Sequence, residues 1–133
     1  RYIILKEENL MSIFSTILAS LVALEALYIM QLEMFASKEK LENVFGLSKE
    51  YLSMEEARVS MKNQGLYNGF IGVGLLFSRF FFPVNSQFIG TTMFVIFVII
   101  AAIYGWLSAK NIKILLLQGT PAILALLSLI IFK

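Results

Sequence analysis

Four apolar runs, at 13–35, 64–82, 88–107 and 114–132, set the terms on which this chain can fold. Each is about 20 residues long, the length at which an α-helix crosses roughly 30 Å of hydrocarbon. The third and fourth hold no charged residue. A helix in a water-soluble domain keeps a polar stripe, so two successive runs without one need an apolar solvent to face. Composition agrees. The chain is 59% hydrophobic and 15% charged, where soluble domains run about 45–50% and about 25%. A signal peptide would account for the first run alone, and that run is too long and lacks a small-residue cleavage site. The sequence therefore predicts an all-α polytopic membrane protein. Four transmembrane helices, at about 13–35, 54–82, 87–108 and 112–132, form an antiparallel bundle within one domain spanning 11–133. Residues 1–10 precede Met11 and read as an N-terminal extension or as residues foreign to the native chain.

The connections set the expected orientation. Lys38, Lys40, Lys49, Arg58 and Lys62 lie in or beside the first, and Lys110 and Lys113 in the third. Lys and Arg favour the cytoplasmic side, so both connections are placed there and both termini outside. Pro83-Val-Asn-Ser-Gln87 is a tight turn whose proline ends the preceding helix. In the long first connection, Leu41, Val44 and Phe45 share a helical face that stops at Gly46, as a short interfacial helix would. A solvated linker is the alternative there. Ser53-Met-Glu-Glu56 has the form of a capping box, which would start the second long helix near Met54. Arg79, among Phe77, Phe80, Phe81 and Phe82, reads as an interfacial anchor with its guanidinium drawn toward headgroups.

Much familiar chemistry is excluded. With no histidine and no cysteine, the chain can build neither a Cys- or His-ligated zinc site, a Cys nucleophile nor a Ser-His-Asp triad. No metal or cofactor is expected, and a net charge of +2 gives no footprint for nucleic acid.

What remains is a set of polar side chains inside the apolar runs. Glu25 sits at the middle of the first, where a carboxylate costs about 2.5–3.5 kcal/mol and should face protein or water. Tyr28 and Glu33 share its face within about 140° of arc. Asn63, Gln64, Tyr67 and Asn68 cover a similar arc at the start of the second run, beside Gly65 and Gly69 in GxxxG spacing. Tyr104, Ser108 and Gln118 add polar groups from the third and fourth, and Pro121 frees a backbone carbonyl. By depth these groups could line one polar cavity open to the cytoplasm, with Glu25 at its floor.

The stretches Ala23-Leu-Glu-Ala-Leu-Tyr-Ile29, Leu32-Glu-Met-Phe35, Val44-Phe-Gly-Leu-Ser48, Asn63-Gln-Gly-Leu-Tyr-Asn-Gly69, Ile103-Tyr-Gly105 and Gln118-Gly-Thr-Pro-Ala122 resemble the domain of unknown function 1304 family, small four-helix bacterial membrane proteins. The likeness covers nearly all of the chain from Met11. It implies a bacterial cytoplasmic membrane and the four-helix layout, and it lends no activity. Members often carry a histidine after the glutamate where this chain has Ala26.

Three functions follow as expectations. In the first, the cavity binds or transports a small amphiphilic or polar molecule, with proton exchange at Glu25 and a homodimer providing the pathway. The candidate ligand or proton groups are Glu25, Tyr28, Glu33, Asn63, Gln64, Tyr67, Asn68, Tyr104 and Gln118. The second is an intramembrane acid–base enzyme, an isomerase or hydratase, working on a lipophilic substrate. The third is an accessory subunit that packs on a partner through its glycine faces. Membrane lipids are partners in all three.

Overall fold

A computed structural model describes residues 11–133; the extension expected at 1–10 lies outside them. The described residues form helices and no strand.

Helix α1, Ile13–Phe35, begins at Ser12, whose side chain accepts a hydrogen bond from the Ser15 N–H at 3.0 Å. It ends where Ala36 turns extended, since Ser37 already caps the next helix. There the short interfacial helix read from the sequence has its counterpart, α2, Lys38–Phe45. The Ser37 hydroxyl accepts from the Lys40 N–H at 3.2 Å, and Gly46 closes the helix at φ +68°, a conformation that disfavours a Cβ.

A further short helix, α3, Lys49–Ser53, follows from a cap at Ser48. It overturns the capping box. Ser53 belongs to the last turn of α3, where its hydroxyl donates to the Lys49 carbonyl at 2.7 Å. The N-cap of the next helix is Met54, with no side-chain bond. That helix, α4, runs Glu55–Phe80, with Glu55 and Glu56 in its first turn, where carboxylates suit the helix dipole.

Pro83 separates α4 from α5, Val84–Ala109. Lys110 turns the chain at φ +54°, and Asn111 caps the last helix, α6, Ile112–Ile131, by accepting from the Lys113 N–H at 3.1 Å. Helix α6 is continuous, but residues Leu115–Gly119 wind as a π turn that ends just before Pro121, the residue with no N–H to give. The missing donor is thus absorbed by a widened turn rather than a break.

The four long helices form a ring in which α1 packs on α4 and α6, and α5 on the same two. Their shared core is built of small and branched side chains, including Ala19, Val22, Ala23, Leu75, Val95 and Ala125. Small residues let helix backbones approach closely, which drives association where apolar burial gains nothing over lipid. A second core of Leu32, Leu41, Leu52 and Met61 seats α2 and α3 under one end of the α1–α4 pair.

Helices α1, α5 and α6 are long and apolar enough to cross a membrane, at 23, 26 and 20 residues. Their outer faces are apolar and uncovered, as at Ile13, Ile89 and Ile130. Helix α4 is as long as α5 but carries Lys62, Asn63, Gln64, Asn68 and Arg79, and does not meet the same measure of length and composition.

Candidate functional site

The site grows from the way α4 meets α1. Gly65, Gly69 and Gly72 are buried on α4 and point at α1. A Cβ at Gly65 would stand 2.8 Å from Met34 Cγ and 3.0 Å from Glu33 Cβ; at Gly69 it would strike Met30. At Gly72 it would lie 2.9 Å from the Ala23 carbonyl oxygen. The GxxxG spacing is therefore a packing surface, and it is covered by α1 of the same chain.

Asn68 adjoins this glycine face, about 40° round the helix from Gly72. Close approach of the two backbones brings it to Glu33, and its Nδ2 donates to Glu33 Oε1 at 2.6 Å. Glu33 is only 4% exposed. No lysine or arginine pairs with it, and Oε2 receives no donor, among the described residues. A carboxyl group withdrawn from water in this way needs a proton, a cation or further donors, and one amide meets only part of that need. The wall beside it is soft: Met30 and Met34, unbranched and adaptable, lie over Gly69 and Gly65.

A second contact fastens the same end. Arg58 of α4 donates from Nη2 to the Ala36 carbonyl at 3.1 Å, capping α1 just beyond Glu33. No motif announces this bond; it depends on the long connection folding back through α2 and α3.

The other expected site residues stand apart from the pair. Glu25 is half-buried on α1, about 12 Å along the axis from Glu33, and bonds to no described side chain. Tyr28 is exposed. Asn63, Gln64 and Tyr67 point outward from α4, Asn63 lining an open hollow with Glu55 and Glu56, and Tyr67 standing edge-on to Phe70. Tyr104 is exposed on α5, and Gln118 is half-buried in the π turn of α6. Among these residues, Glu33 and Asn68 are the two that hydrogen-bond to each other.

At the opposite end lies a cluster that the sequence reading missed. Arg79 donates from Nε to Thr16 Oγ1 at 2.6 Å and from Nη1 to Gln87 Oε1 at 3.0 Å, joining α4 to α1 and α5. Its charge among phenylalanines was the available signal; two polar partners from distant helices gave none in one dimension.

The described residues thus define an all-helical protein with three helices fit to cross a membrane and a buried carboxyl–amide pair between α1 and α4. The chain belongs to the family described as protein of unknown function DUF1304, whose model matches residues 20–130. It is 44% identical over 119 residues to a protein of Lactococcus lactis subsp. lactis (strain IL1403) described as uncharacterized protein YpaA, covering 89% of this chain and 98% of that one. No solved structure matches the chain.

Proposed function

We propose that α1, α4, α5 and α6 cross a bacterial cytoplasmic membrane as a four-helix antiparallel bundle, and that the Glu33–Asn68 pair holds the polar or cationic head of a small amphiphilic molecule. Helix α4 joins the spans in this reading because its inward polar groups find hydrogen-bond partners within the bundle. Asn68 bonds to α1 and Arg79 to α1 and α5, the condition under which lipid tolerates them. The lysine-bearing connections face the cytoplasm and both termini lie outside. Glu33 then stands near the cytoplasmic end of α1.

The observation that carries the ligand reading is the 2.6 Å Asn68–Glu33 bond on a buried carboxyl with no cation beside it. A lipophilic cation or amine supplies the missing partner at Oε2, and a proton takes its place when it leaves. Met30 and Met34 are the side chains that would move to admit it. Proton exchange thus sits at Glu33, with Glu25 about two turns along the same helix as a second station. A partner helix of another protein would have to use a face other than Gly65, Gly69 and Gly72, which α1 covers.

Equilibrium binding of tritiated tetraphenylphosphonium to the protein in lipid nanodiscs tests this. Wild type should bind it, E33Q should lose binding, and E25Q should keep most of it. Equal binding by wild type and E33Q, or none by either, would sink the proposal. Native mass spectrometry of the same samples reads subunit number, with a homodimer expected if the molecule is moved across the bilayer.

A further inference from the structure

Arg79 is a cation held in place by neutral partners. Thr16 Oγ1 donates its own hydrogen to the Ser12 carbonyl at 2.9 Å, so a lone pair is left to receive Arg79 Nε. Gln87 Nε2 donates to the Phe82 carbonyl at 3.0 Å, which turns Oε1 toward Arg79 Nη1. Gln87 itself is 8% exposed, so this orientation is built into the packing. The Phe80 ring lies 5.2 Å from the guanidinium carbon. Each partner orients the group and none neutralises it: among the described residues no carboxylate pairs with Arg79.

An arginine that merely reached for headgroups would have a mobile side chain. Here the fork is fixed on the inward side by Nε and one Nη1 hydrogen, while Nη2 and the other Nη1 hydrogen receive no acceptor among the described residues. Two parallel N–H groups at the edge of a planar cation match two oxygens of a phosphate. The first turn of α5, which begins beside this cluster, contains no acidic residue, so its positive end adds to the same field. Phe77, Phe80 and Phe81 are exposed around the group, with Phe77 and Phe81 stacked at 4.8 Å, an apolar collar suited to acyl chains.

We infer that Arg79, positioned by Thr16 and Gln87, is a binding site for a phosphate group, supplied by a phospholipid headgroup or by free phosphate. The inference goes beyond the Glu33 site, about 25 Å away along α1, and stands or falls separately from it.

The test is native mass spectrometry of the full chain in mild detergent, titrated with phosphatidylglycerol, with a phosphate-free galactolipid, and with inorganic phosphate. Wild type should retain phosphatidylglycerol over the galactolipid. R79Q should weaken that retention by about tenfold or more, the effect of losing hydrogen bonds between charged groups. R79K keeps the charge without the fork and should bind phosphatidylglycerol weakly, which separates loss of the site from loss of the fold. Displacement of the lipid by inorganic phosphate assigns the free anion as ligand; lipid retention unchanged by phosphate assigns the headgroup. Equal retention of phosphatidylglycerol by wild type and R79Q, or no preference over the galactolipid with no phosphate bound, overturns the inference.

Discussion

Gly72 sits directly against the backbone of α1 at Ala23: a Cβ on Gly72 would lie 2.9 Å from the Ala23 carbonyl oxygen. A carbonyl in the middle of a helix cannot swing aside as a side chain can. Gly72→Ala should therefore destabilise the bundle by about 1–3 kcal/mol, the usual cost of overpacking. Gly65→Ala meets Met34 Cγ at 2.8 Å, Glu33 Cβ at 3.0 Å and the Met30 carbonyl oxygen at 3.2 Å; its backbone contact is the looser of the two, so it should cost less than Gly72→Ala. Unfolding in bicelles, compared across the two variants, checks the order. Equal and negligible losses would mean that α1 and α4 do not pack on this face.

The Glu33–Asn68 bond makes a prediction that separates stability from function. In E33Q the new amide oxygen can still accept from Asn68 Nδ2, and a neutral group is easier to bury than a carboxylate. E33Q should therefore unfold no more readily than wild type while losing tetraphenylphosphonium binding. Asn68→Leu leaves the carboxyl group without its donor and should cost about 1–3 kcal/mol. In the double variant E33Q/N68L that cost should shrink, because the group left unpaired is no longer a carboxyl. A double-mutant cycle on unfolding in bicelles reads these terms, and additive losses would show that the two side chains do not depend on each other.

The apolar runs made the long helices legible, because length and missing charge are properties of the chain itself. The stop at Gly46 was legible for the same reason, since it acts on its own neighbours. Glu25 and Glu33 show where that stops. Depth along the run favoured Glu25, but burial is decided by which arc of α1 meets the glycine face of α4, and Met30, Glu33 and Met34 occupy it. On α4, Asn63, Gln64, Tyr67 and Asn68 share an arc, yet Asn68 lies at its inner edge and the others turn outward. Arg79 returns to nearly the azimuth of Asn68, about 20° away after three turns, and like Asn68 it bonds to α1. The rotation of one helix against another is a tertiary quantity. No spacing within α4 encodes it until α1 is placed.

Ser48 and Ser53 offer a local test of how α3 and α4 are capped. Ser48 accepts from the Tyr51 N–H at 3.1 Å and caps α3, whereas Ser53 donates back to Lys49 within α3 and caps nothing. Ser48→Ala should cost about 1 kcal/mol, and Ser53→Ala much less. Amide exchange at Lys49–Leu52 should accelerate in the first variant alone. Faster exchange at Glu55–Ala57 in Ser53→Ala would instead restore the capping box.

Ser15 and Ser128 join α1 to α6 through a buried contact of 2.7 Å between their hydroxyl oxygens, and Ser12 Oγ donates to Ser15 Oγ at 2.9 Å. With Ser12 donating to it, Ser15 can pass its own hydrogen to Ser128, so the chain of hydroxyls runs from the cap of α1 into the core. Either single alanine variant strands one hydroxyl where water does not reach, while the double variant strands none from the pair. The cycle S15A, S128A and S15A/S128A should show a coupling of about 0.6–1.7 kcal/mol, the range for side-chain hydrogen bonds between membrane helices. Unfolding in bicelles supplies the measurement. A coupling near zero would mean that each hydroxyl satisfies itself on its own helix, and α6 would then be held to α1 by Ala19, Ala122, Ala125 and their neighbours alone.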